Sequence, residues 1–257
     1  MENRIISLFK RKEKNILSIY FTAGYPNLED TVAIIRELEK NGADLIEIGI
    51  PFSDPVADGV VIQRSSEKAL KNGMTIHLLF EQLKEIRKSI SIPLILMGYL
   101  NPVMQYGIAE FCVKCREIGI DGTIIPDLPL EIYEAEYKGI FVENSLSNIF
   151  LITPQTSDAR IRKIDSLSSG FIYMVSSSST TGVKESADDE QLNYFGKVRS
   201  MNLQSKLLIG FGISDKGSFE RASNYANGAI IGSAFITALA GESAIGAKVG
   251  SFMQKFF

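Results

Sequence analysis

The chain has 257 residues, of which 45% are hydrophobic and 22% charged, and its formal net charge is −3. This is the composition of an ordinary globular protein, at a length typical of one α/β barrel. The weakly acidic charge argues against binding to nucleic acid or to an anionic membrane surface. No apolar run approaches the ~18 residues of a transmembrane helix. Residues 1–14 lack the apolar core of a signal peptide, so we expect a cytoplasmic protein.

Short β-branched or apolar segments alternate with amphipathic segments along the chain. Eight segments predict strands: Leu17–Thr22, Leu45–Ile50, Pro93–Gly98, Gly122–Pro126, Asn148–Ile152, Gly170–Val175, Lys206–Gly210 and Gly228–Ile231. Five segments with apolar residues at i, i+3 and i+4 predict helices: Glu29–Asn41, Leu78–Ser89, Ile108–Ile118, Ser157–Leu167 and Asp215–Ala226. Because no linker interrupts this alternation, the sequence predicts a single-domain (β/α)8 TIM barrel of the α/β class over residues 1–257.

The side-chain alternation of the first two predicted strands indicates which face each residue occupies. Side chains of a strand point alternately to its two faces, and the outer face of a barrel strand lies under helices. The residues expected to face outward are Leu17, Ile19, Phe21, Ile46, Ile48 and Ile50, and those expected inward are Ser18, Tyr20, Thr22, Leu45, Glu47 and Gly49. The barrel interior is thus expected to be polar near the strand ends, where barrel enzymes keep their active sites.

Two carboxylates are the leading candidates for catalysis. Glu47 inside a barrel would lose hydration, which raises its pKa toward neutrality and suits general acid–base work. Asp58 lies in the loop that leaves the carboxyl end of the same strand. The alternatives are a buried Glu47 satisfied by backbone donors or a cation, and an Asp58 that only caps a helix or forms a turn.

Glycine-containing loops follow the last three predicted strands. They are Thr180–Gly182 after strand six, Gly210–Ser214 after strand seven and Gly232–Ser233 after strand eight. Glycines let the backbone approach a ligand closely, and a short helix after strand eight can direct its N–H groups at an anion. These loops predict a phosphate site of the kind found in many barrels, although turns use glycine for other reasons too.

Other familiar chemistry is scarce in this sequence. Cys112 and Cys115 form one CxxC inside a predicted helix, and His77, the single histidine, also falls on a helix. A zinc site needs about four ligands, so a structural role is favoured for these residues over a redox pair or half a metal site. Histidine triads, multi-histidine metal sites and P-loops are absent, and no metal is expected.

Several stretches match a common pattern: Phe21–Pro26, Ile46–Gly59, Ile62–Gln63, Met97–Pro102, Pro126–Pro129, Gly210–Ser214 and Gly232–Ser233. The longest contains IEIGIPFSDPVADG, which is too long and unusual to arise by chance. Taken together, from about Leu8 to the C-terminus, the sequence resembles the tryptophan synthase alpha chain family.

The resemblance implies cleavage of indole-3-glycerol phosphate to indole and glyceraldehyde 3-phosphate. Glu47 would then be the main acid–base residue and Asp58 would hold the indole N–H. Tyr173 would lie near the glycerol hydroxyl and Phe211 against the indole ring. The phosphate would bind at Gly182, Gly212, Gly232 and Ser233, with Thr181 and Gly210 binding substrate from the same loops.

The resemblance also implies a partner. The family works as an alpha2-beta2 complex with a beta chain that carries pyridoxal phosphate and receives indole, so this chain should need no cofactor of its own. The loop at Asp54–Pro55 and the mobile lid at Ser176–Gly182 would face that partner. This chain departs from many family members at two positions. Ser179, in the lid, replaces a glycine and so bears on lid movement. Ile132 replaces a second glutamate and carries no functional meaning here.

Three other functions remain open. Other phosphate-binding barrels, such as indole-glycerol-phosphate synthase or a sugar-phosphate epimerase, usually carry a lysine or metal-binding histidines at strand ends, which the predicted strand ends here lack. A non-catalytic barrel that activates a beta chain would not need both Glu47 and Asp58. A free-standing indole-releasing lyase fits the same residues.

Overall fold

The computed structural model describes residues 3–175, 184–210 and 212–257, with all of their side chains except those of residues 184–189. At its centre eight parallel strands form a closed barrel in the order β1 to β8. The strands are β1 (Ile16–Thr22), β2 (Leu45–Gly49), β3 (Leu94–Met97), β4 (Gly122–Ile124), β5 (Ser147–Ile152), β6 (Phe171–Val175), β7 (Lys206–Gly210) and β8 (Gly228–Ile231). The predicted (β/α)8 barrel is confirmed.

Helices connect successive strands and cover the outside of the barrel. They are α1 (Arg4–Arg11), α2 (Asp30–Lys40), α3 (Val60–Lys71), α4 (Ile76–Leu83), α5 (Leu100–Tyr106), α6 (Ile108–Ile118), α7 (Leu130–Ile132), α8 (Lys138–Glu143), α9 (Asp158–Leu167), α10 (Lys184–Ser200), α11 (Lys216–Ser223), α12 (Ser233–Leu239) and α13 (Ile245–Met253). A π-helical turn joins α7 to α8. Within the described parts of the chain, no helix has the length and apolar character to cross a membrane.

The predicted helix Leu78–Ser89 is wrong at both ends. The side chain of Thr75 accepts the N–H of Leu78 at 3.1 Å, so α4 begins two residues earlier than predicted. The helix ends at Leu83, and a short 3-10 turn follows. In that turn the Arg87 guanidinium donates to the carbonyls of Gly119 and Ile92. Arg87 thus ties the 3-10 turn to Gly119 in the connection before β4 and to Ile92 just before β3, contacts that a continued α-helix would not make.

The predicted inward and outward faces of β1 and β2 are confirmed. Ile46, Ile48 and Ile50 pack in the same apolar layer as the helices. Tyr20 and Leu45 pack in a separate cluster inside the barrel. Two layers of this kind are expected for a closed parallel barrel, since helices cover its outside and side chains fill its inside.

The amino-terminal end of the barrel is closed by α1. Its residues Ile5, Leu8 and Phe9 pack with the interior cluster, and its N-terminal residue Arg4 pairs with the buried carboxylate of Asp121 at 3.0 Å. Arg87 pairs with the other oxygen of the same carboxylate. Helix α1 therefore closes the amino-terminal end of the barrel, and the opposite end, at the carboxyl ends of the strands, stays open to a ligand.

Candidate active site

A cavity of about 250 Å³ lies at the carboxyl ends of the strands. Its polar lining comes from strands β1 and β6 and from the segments after β2, β7 and β8: Tyr20, Asp58, Tyr173, Gly212, Ser214, Gly232 and Ser233. Apolar side chains of Ile62, Met97 and Ile230 complete much of the lining. A mostly apolar cavity with a few convergent polar groups is the usual form of a small-molecule site.

Glu47 is fully buried on β2, and its side chain faces the barrel interior as predicted. Ser18 on β1 donates a hydrogen bond to its Oε1 at 2.8 Å. Its Oε2 has no hydrogen-bond partner among the described residues. Burial disfavours the charged carboxylate more than the Ser18 hydroxyl favours it, which raises the pKa of Glu47 to about 8. At neutral pH this side chain is therefore a carboxylic acid with a proton to give.

Asp58 is half-buried in the loop after β2 and lines the cavity. The Tyr99 hydroxyl donates to its Oδ2 at 3.1 Å, and the N–H of Ala57 donates to that hydroxyl at 3.0 Å. Burial raises the pKa of Asp58 to about 6, and the Tyr99 hydrogen bond opposes the rise. At neutral pH Asp58 is mostly a carboxylate, in contrast to Glu47.

Tyr20 and Tyr173 lie near the two carboxyl groups, and the hydroxyl of each lies directly over a glycine. A Cβ added at Gly49 would collide with the Tyr20 hydroxyl, and one added at Gly210 would collide with the Tyr173 hydroxyl. Gly49 lies two residues beyond Glu47 on the same face of β2, so the Tyr20 hydroxyl is on the cavity side of Glu47. Burial and the nearby carboxylates raise the pKa of both tyrosines, which keeps both hydroxyls protonated.

The loops after β7 and β8 approach the cavity mainly with their backbone. Gly212 adopts a φ of +76°, a left-handed conformation that favours glycine. Gly232 is the N-cap of α12, has no side-chain cap, and is followed by Ser233 at the first position of the helix. Gly212, Gly232 and Ser233 all line the cavity. The loops after strands seven and eight, predicted to bind phosphate, therefore lie next to each other around it.

The predicted site residues fall into three groups. Asp58, Tyr173, Gly212, Gly232 and Ser233 line the cavity, Gly210 lies beneath Tyr173, and Glu47 lies within electrostatic range of Tyr173 without lining the cavity. Thr181, Gly182 and Phe211 lie outside the described residues, as does Ser179.

Three residues of this site were missed by the sequence reasoning. Ser18 and Tyr20 were placed inside the barrel by strand alternation, and that alternation could have paired Ser18 with Glu47. Tyr99 lies in the stretch Met97–Pro102, yet nothing in its local pattern indicates a contact with Asp58, about 40 residues away. Such a pairing depends on the fold and not on local sequence.

The cysteines and the histidine lie on helices, as the sequence predicted. Cys112 and Cys115 are both buried in α6, and burial raises the pKa of the Cys112 thiol to about 12. His77 packs against Tyr106 with ring centroids 4.6 Å apart. Among the described residues, no group of His, Cys, Asp and Glu side chains is arranged to hold a metal ion.

Two carboxyl groups in different environments at the carboxyl end of a closed parallel barrel, beside glycine loops, are typical of an enzyme of the α/β-barrel class. The sequence pattern of the tryptophan synthase alpha chain matches residues 6–253. The tryptophan synthase alpha chain of Flavobacterium johnsoniae is 60% identical over 251 residues, which cover 98% of each chain. That of Christiangramia forsetii is 56% identical over 253 residues, again 98% of each chain.

Solved structures agree with these relatives. The tryptophan synthase alpha chain of Legionella pneumophila subsp. pneumophila matches with a TM-score of 0.83 at 34% identity, covering 100% of this chain and 98% of that one. A chain of tryptophan synthase from M. tuberculosis matches with a TM-score of 0.86 at 26% identity, covering 99% and 98%. This chain belongs to the tryptophan synthase alpha chain family. It is thus a carbon–carbon lyase of tryptophan biosynthesis that cleaves indole-3-glycerol phosphate.

Proposed function

We propose that Glu47 and Asp58 catalyse this cleavage. Glu47 acts as the acid that donates a proton, and Asp58 acts as a charged carboxylate. The observation that carries the proposal is the difference in their surroundings: Glu47 is fully buried with one oxygen unpaired, whereas Asp58 lines the cavity and accepts the Tyr99 hydroxyl. Burial raises the pKa of Glu47 to about 8 and that of Asp58 to about 6. Between these two values Glu47 holds a proton while Asp58 is charged. Pairs of carboxyl groups whose environments separate their pKa values commonly divide acid and base roles between them.

Glu47 is proposed to protonate the ring carbon of the indole that bears the glycerol phosphate side chain. A retro-aldol cleavage needs an electron sink, and neutral indole is a poor one, whereas its C3-protonated form is a good one. The carboxylate that remains on Glu47 then accepts the proton of the glycerol hydroxyl as the carbon–carbon bond breaks. Indole and glyceraldehyde 3-phosphate result, and the proton on Glu47 is restored.

Asp58 is proposed to accept a hydrogen bond from the indole N–H. As C3 is protonated, positive charge develops on that nitrogen, and a fixed carboxylate stabilises it. Tyr99 supports this role because its hydroxyl holds one oxygen of Asp58 at 3.1 Å, which leaves the other for substrate. Ile62 and Met97, in the lining of the same cavity, supply the apolar contact that an indole ring needs.

Substrate binding is proposed to use the loops at the other side of the cavity. Gly212, Gly232 and Ser233 would bind the phosphate with backbone and hydroxyl donors, anchoring the substrate by a part that does not react. Tyr173, held over Gly210, would contact the glycerol hydroxyl. Thr181, Gly182 and Phe211 complete the proposed binding set.

A beta chain is the proposed partner, in an alpha2-beta2 complex, and it would carry the pyridoxal phosphate and receive the indole. Val56 and Val60 are 86% and 60% exposed next to Asp54–Pro55. Exposed apolar side chains beside the site mouth fit a protein contact. The alpha chain itself is proposed to form one domain over residues 1–257, to use no cofactor, and to act in the cytoplasm.

The test is indole release from indole-3-glycerol phosphate by the purified chain, alone and with a family beta chain. We expect slow release alone and a strong rise with the beta chain. Glu47→Gln should lower the rate by about 10²–10⁴-fold, the usual contribution of a general acid–base. Glu143→Gln, at the exposed end of α8, is the matched control and should keep the rate.

Each competing function gives a different result in the same assay. A non-catalytic barrel would release no indole but would still activate the beta chain, with or without Glu47. A free-standing lyase would release indole at a rate that the beta chain leaves unchanged. An active Glu47→Gln variant would contradict the role proposed for that side chain.

A further inference from the structure

Ser18 and Glu47 are neighbours on the inner face of the barrel. Strands β1 and β2 pair in parallel with Tyr20 opposite Glu47, and Ser18 lies two residues before Tyr20 on the same face of β1. Both Ser18 and Glu47 are fully buried. The Ser18 hydroxyl donates to the Oε1 of Glu47 at 2.8 Å. This hydrogen bond therefore joins two neighbouring strands in the barrel interior, out of reach of solvent.

The Glu47 carboxyl group has no other support among the described residues. Its Oε2 has no hydrogen-bond partner there, and burial and the Ser18 hydroxyl are the two influences on its pKa. The titratable side chains that sense its charge are Tyr20 and Tyr173, which Asp58 also influences, and both tyrosines stay protonated and neutral. A negative charge on Glu47 would therefore be stabilised by Ser18 and not by a cation.

The strength of this hydrogen bond depends on the charge of Glu47. Burial raises the pKa of Glu47 to about 8, so the group is protonated at neutral pH before the reaction. In the proposed mechanism it gives this proton to the indole ring and becomes charged. A hydrogen bond to a charged acceptor is roughly twice as strong as one between neutral groups. The Ser18 bond therefore strengthens during proton transfer, and an interaction that strengthens towards the transition state lowers the barrier.

We propose that Ser18 is a positioning residue, whose hydroxyl holds the Glu47 carboxyl group in place and stabilises the charge that this group gains when it gives up its proton. The inference rests on the proposed role of Glu47 as the acid. Ser18 does not line the cavity, so it acts through Glu47 and not on the substrate. The proton that Glu47 gives to the ring carbon is replaced by that of the glycerol hydroxyl, and Ser18 keeps its own hydrogen throughout.

The first test measures proton loss by Glu47 in the full chain without ligand. Side-chain carboxyl carbons labelled with ¹³C are followed by NMR through neutral and alkaline pH, and the Glu47 signal is the one that is missing from Glu47→Gln. In the wild type it should titrate near pH 8. Ser18→Ala removes the donor that favours the charged form, so Glu47 should titrate about one pH unit higher.

The second test measures indole release by the same variant with a family beta chain present. Because Ser18 acts on the acid and not on the substrate, Ser18→Ala should lower kcat by about tenfold and leave KM unchanged. The basic limb of the pH profile should move upward with the NMR titration of Glu47. A merely structural role for Ser18 would move neither the basic limb nor the titration.

Ser147→Ala is the matched control. Ser147 is also a buried serine at the barrel strands, at the start of β5, and its hydroxyl donates to the carbonyl of Ser169 at 2.9 Å. Its replacement removes a hydrogen bond of similar length that has no contact with Glu47. This variant should leave the titration of Glu47, kcat and the basic limb as they are in the wild type.

A second variant keeps the test decisive if Ser18→Ala unfolds, which circular dichroism detects. Ser18→Cys keeps a weaker donor at the same position, so it should shift the titration of Glu47 upward by less than Ser18→Ala. An unshifted titration of Glu47 in a folded Ser18 variant, or an unchanged kcat while Glu47→Gln is inactive, would overturn the inference alone. A fully active Glu47→Gln would instead overturn the proposed function on which it rests.

Discussion

Replacing Glu47 with glutamine should change how stability depends on pH. Folding raises the pKa of Glu47 to about 8 from an ordinary 4.5. Between these values the unfolded chain has lost the proton that the folded chain keeps, so wild-type stability falls as pH rises through this window. Below pH 4.5 both states are protonated and above pH 8 both are ionised, so this contribution is then constant. The glutamine variant lacks it altogether.

The magnitude follows from the two pKa values. Each pH unit is worth about 1.36 kcal/mol, which gives about 5 kcal/mol over the whole window and roughly 2.3 kcal/mol between pH 6 and pH 8, because Glu47 is already half ionised at pH 8. The glutamine side chain keeps an acceptor for Ser18 but leaves its amide group unpaired, at a cost of about 1–3 kcal/mol. This cost does not depend on pH. The change in the stability difference between the two proteins from pH 6 to pH 8 therefore reports the ionisation of Glu47 alone, whereas the difference at a single pH also includes the cost of the unpaired amide.

Urea unfolding followed by circular dichroism measures this change, because the chain has no tryptophan for fluorescence. The difference in unfolding free energy, variant minus wild type, should grow by about 2–3 kcal/mol from pH 6 to pH 8. Asp58, whose pKa is about 6 when folded, titrates at the lower end of this range, but it is present in both proteins, so its contribution cancels in the difference. Glu143→Gln serves again as the exposed control. A difference that stays constant with pH would refute the buried, protonated state of Glu47.

Three further predictions concern activity and the fold. The kcat/KM of indole release should be bell-shaped in pH: it should fall below about pH 6 as Asp58 takes up a proton and above about pH 8 as Glu47 loses one; a flat profile across this range would contradict the assignment. Gly210→Ala should displace the Tyr173 ring and hydroxyl, which lowers kcat/KM by about tenfold, measured by kinetics, and costs about 1–3 kcal/mol of stability through overpacking, measured by calorimetry; a loss of stability with equal kcat/KM would contradict the proposed contact of Tyr173 with substrate. Asp121→Asn should cost about 2–4 kcal/mol in urea unfolding, since it removes the buried charge that pairs with the partly buried Arg4 and Arg87, while the activity per folded molecule remains; unchanged stability would contradict this.

The sequence predicted the barrel and much of its site for a simple physical reason. Strand side chains alternate, so the three isoleucines of Ile46–Ile50 had to face the helices and Glu47 had to face inward. Loops that leave parallel strands meet at one end of a barrel, so Asp58, Gly212 and Gly232 were expected to gather there. Both inferences use local patterns together with a symmetric fold.

What the sequence could not predict depends on pairs that are distant in the chain. The Tyr99 hydrogen bond to Asp58 and the pairing of Asp121 with Arg4 and Arg87 join residues that are far apart in the chain. Local periodicity carries no information about these pairings. The hydrogen bond from Arg87, just beyond the end of α4, to the carbonyl of Gly119 in the next connection is of the same kind.

The two carboxyl groups differ in proton affinity because of their surroundings. Glu47 lies in the closed interior, with one hydroxyl donor and an unpaired oxygen, so its charged form is poorly supported. Asp58 is half-buried and receives the Tyr99 hydroxyl, so its charged form is better supported. In the proposed mechanism Glu47 therefore donates the proton, and Asp58 balances the charge that this proton creates. Deepening the burial of Asp58 would raise its pKa toward that of Glu47 and remove the division of roles.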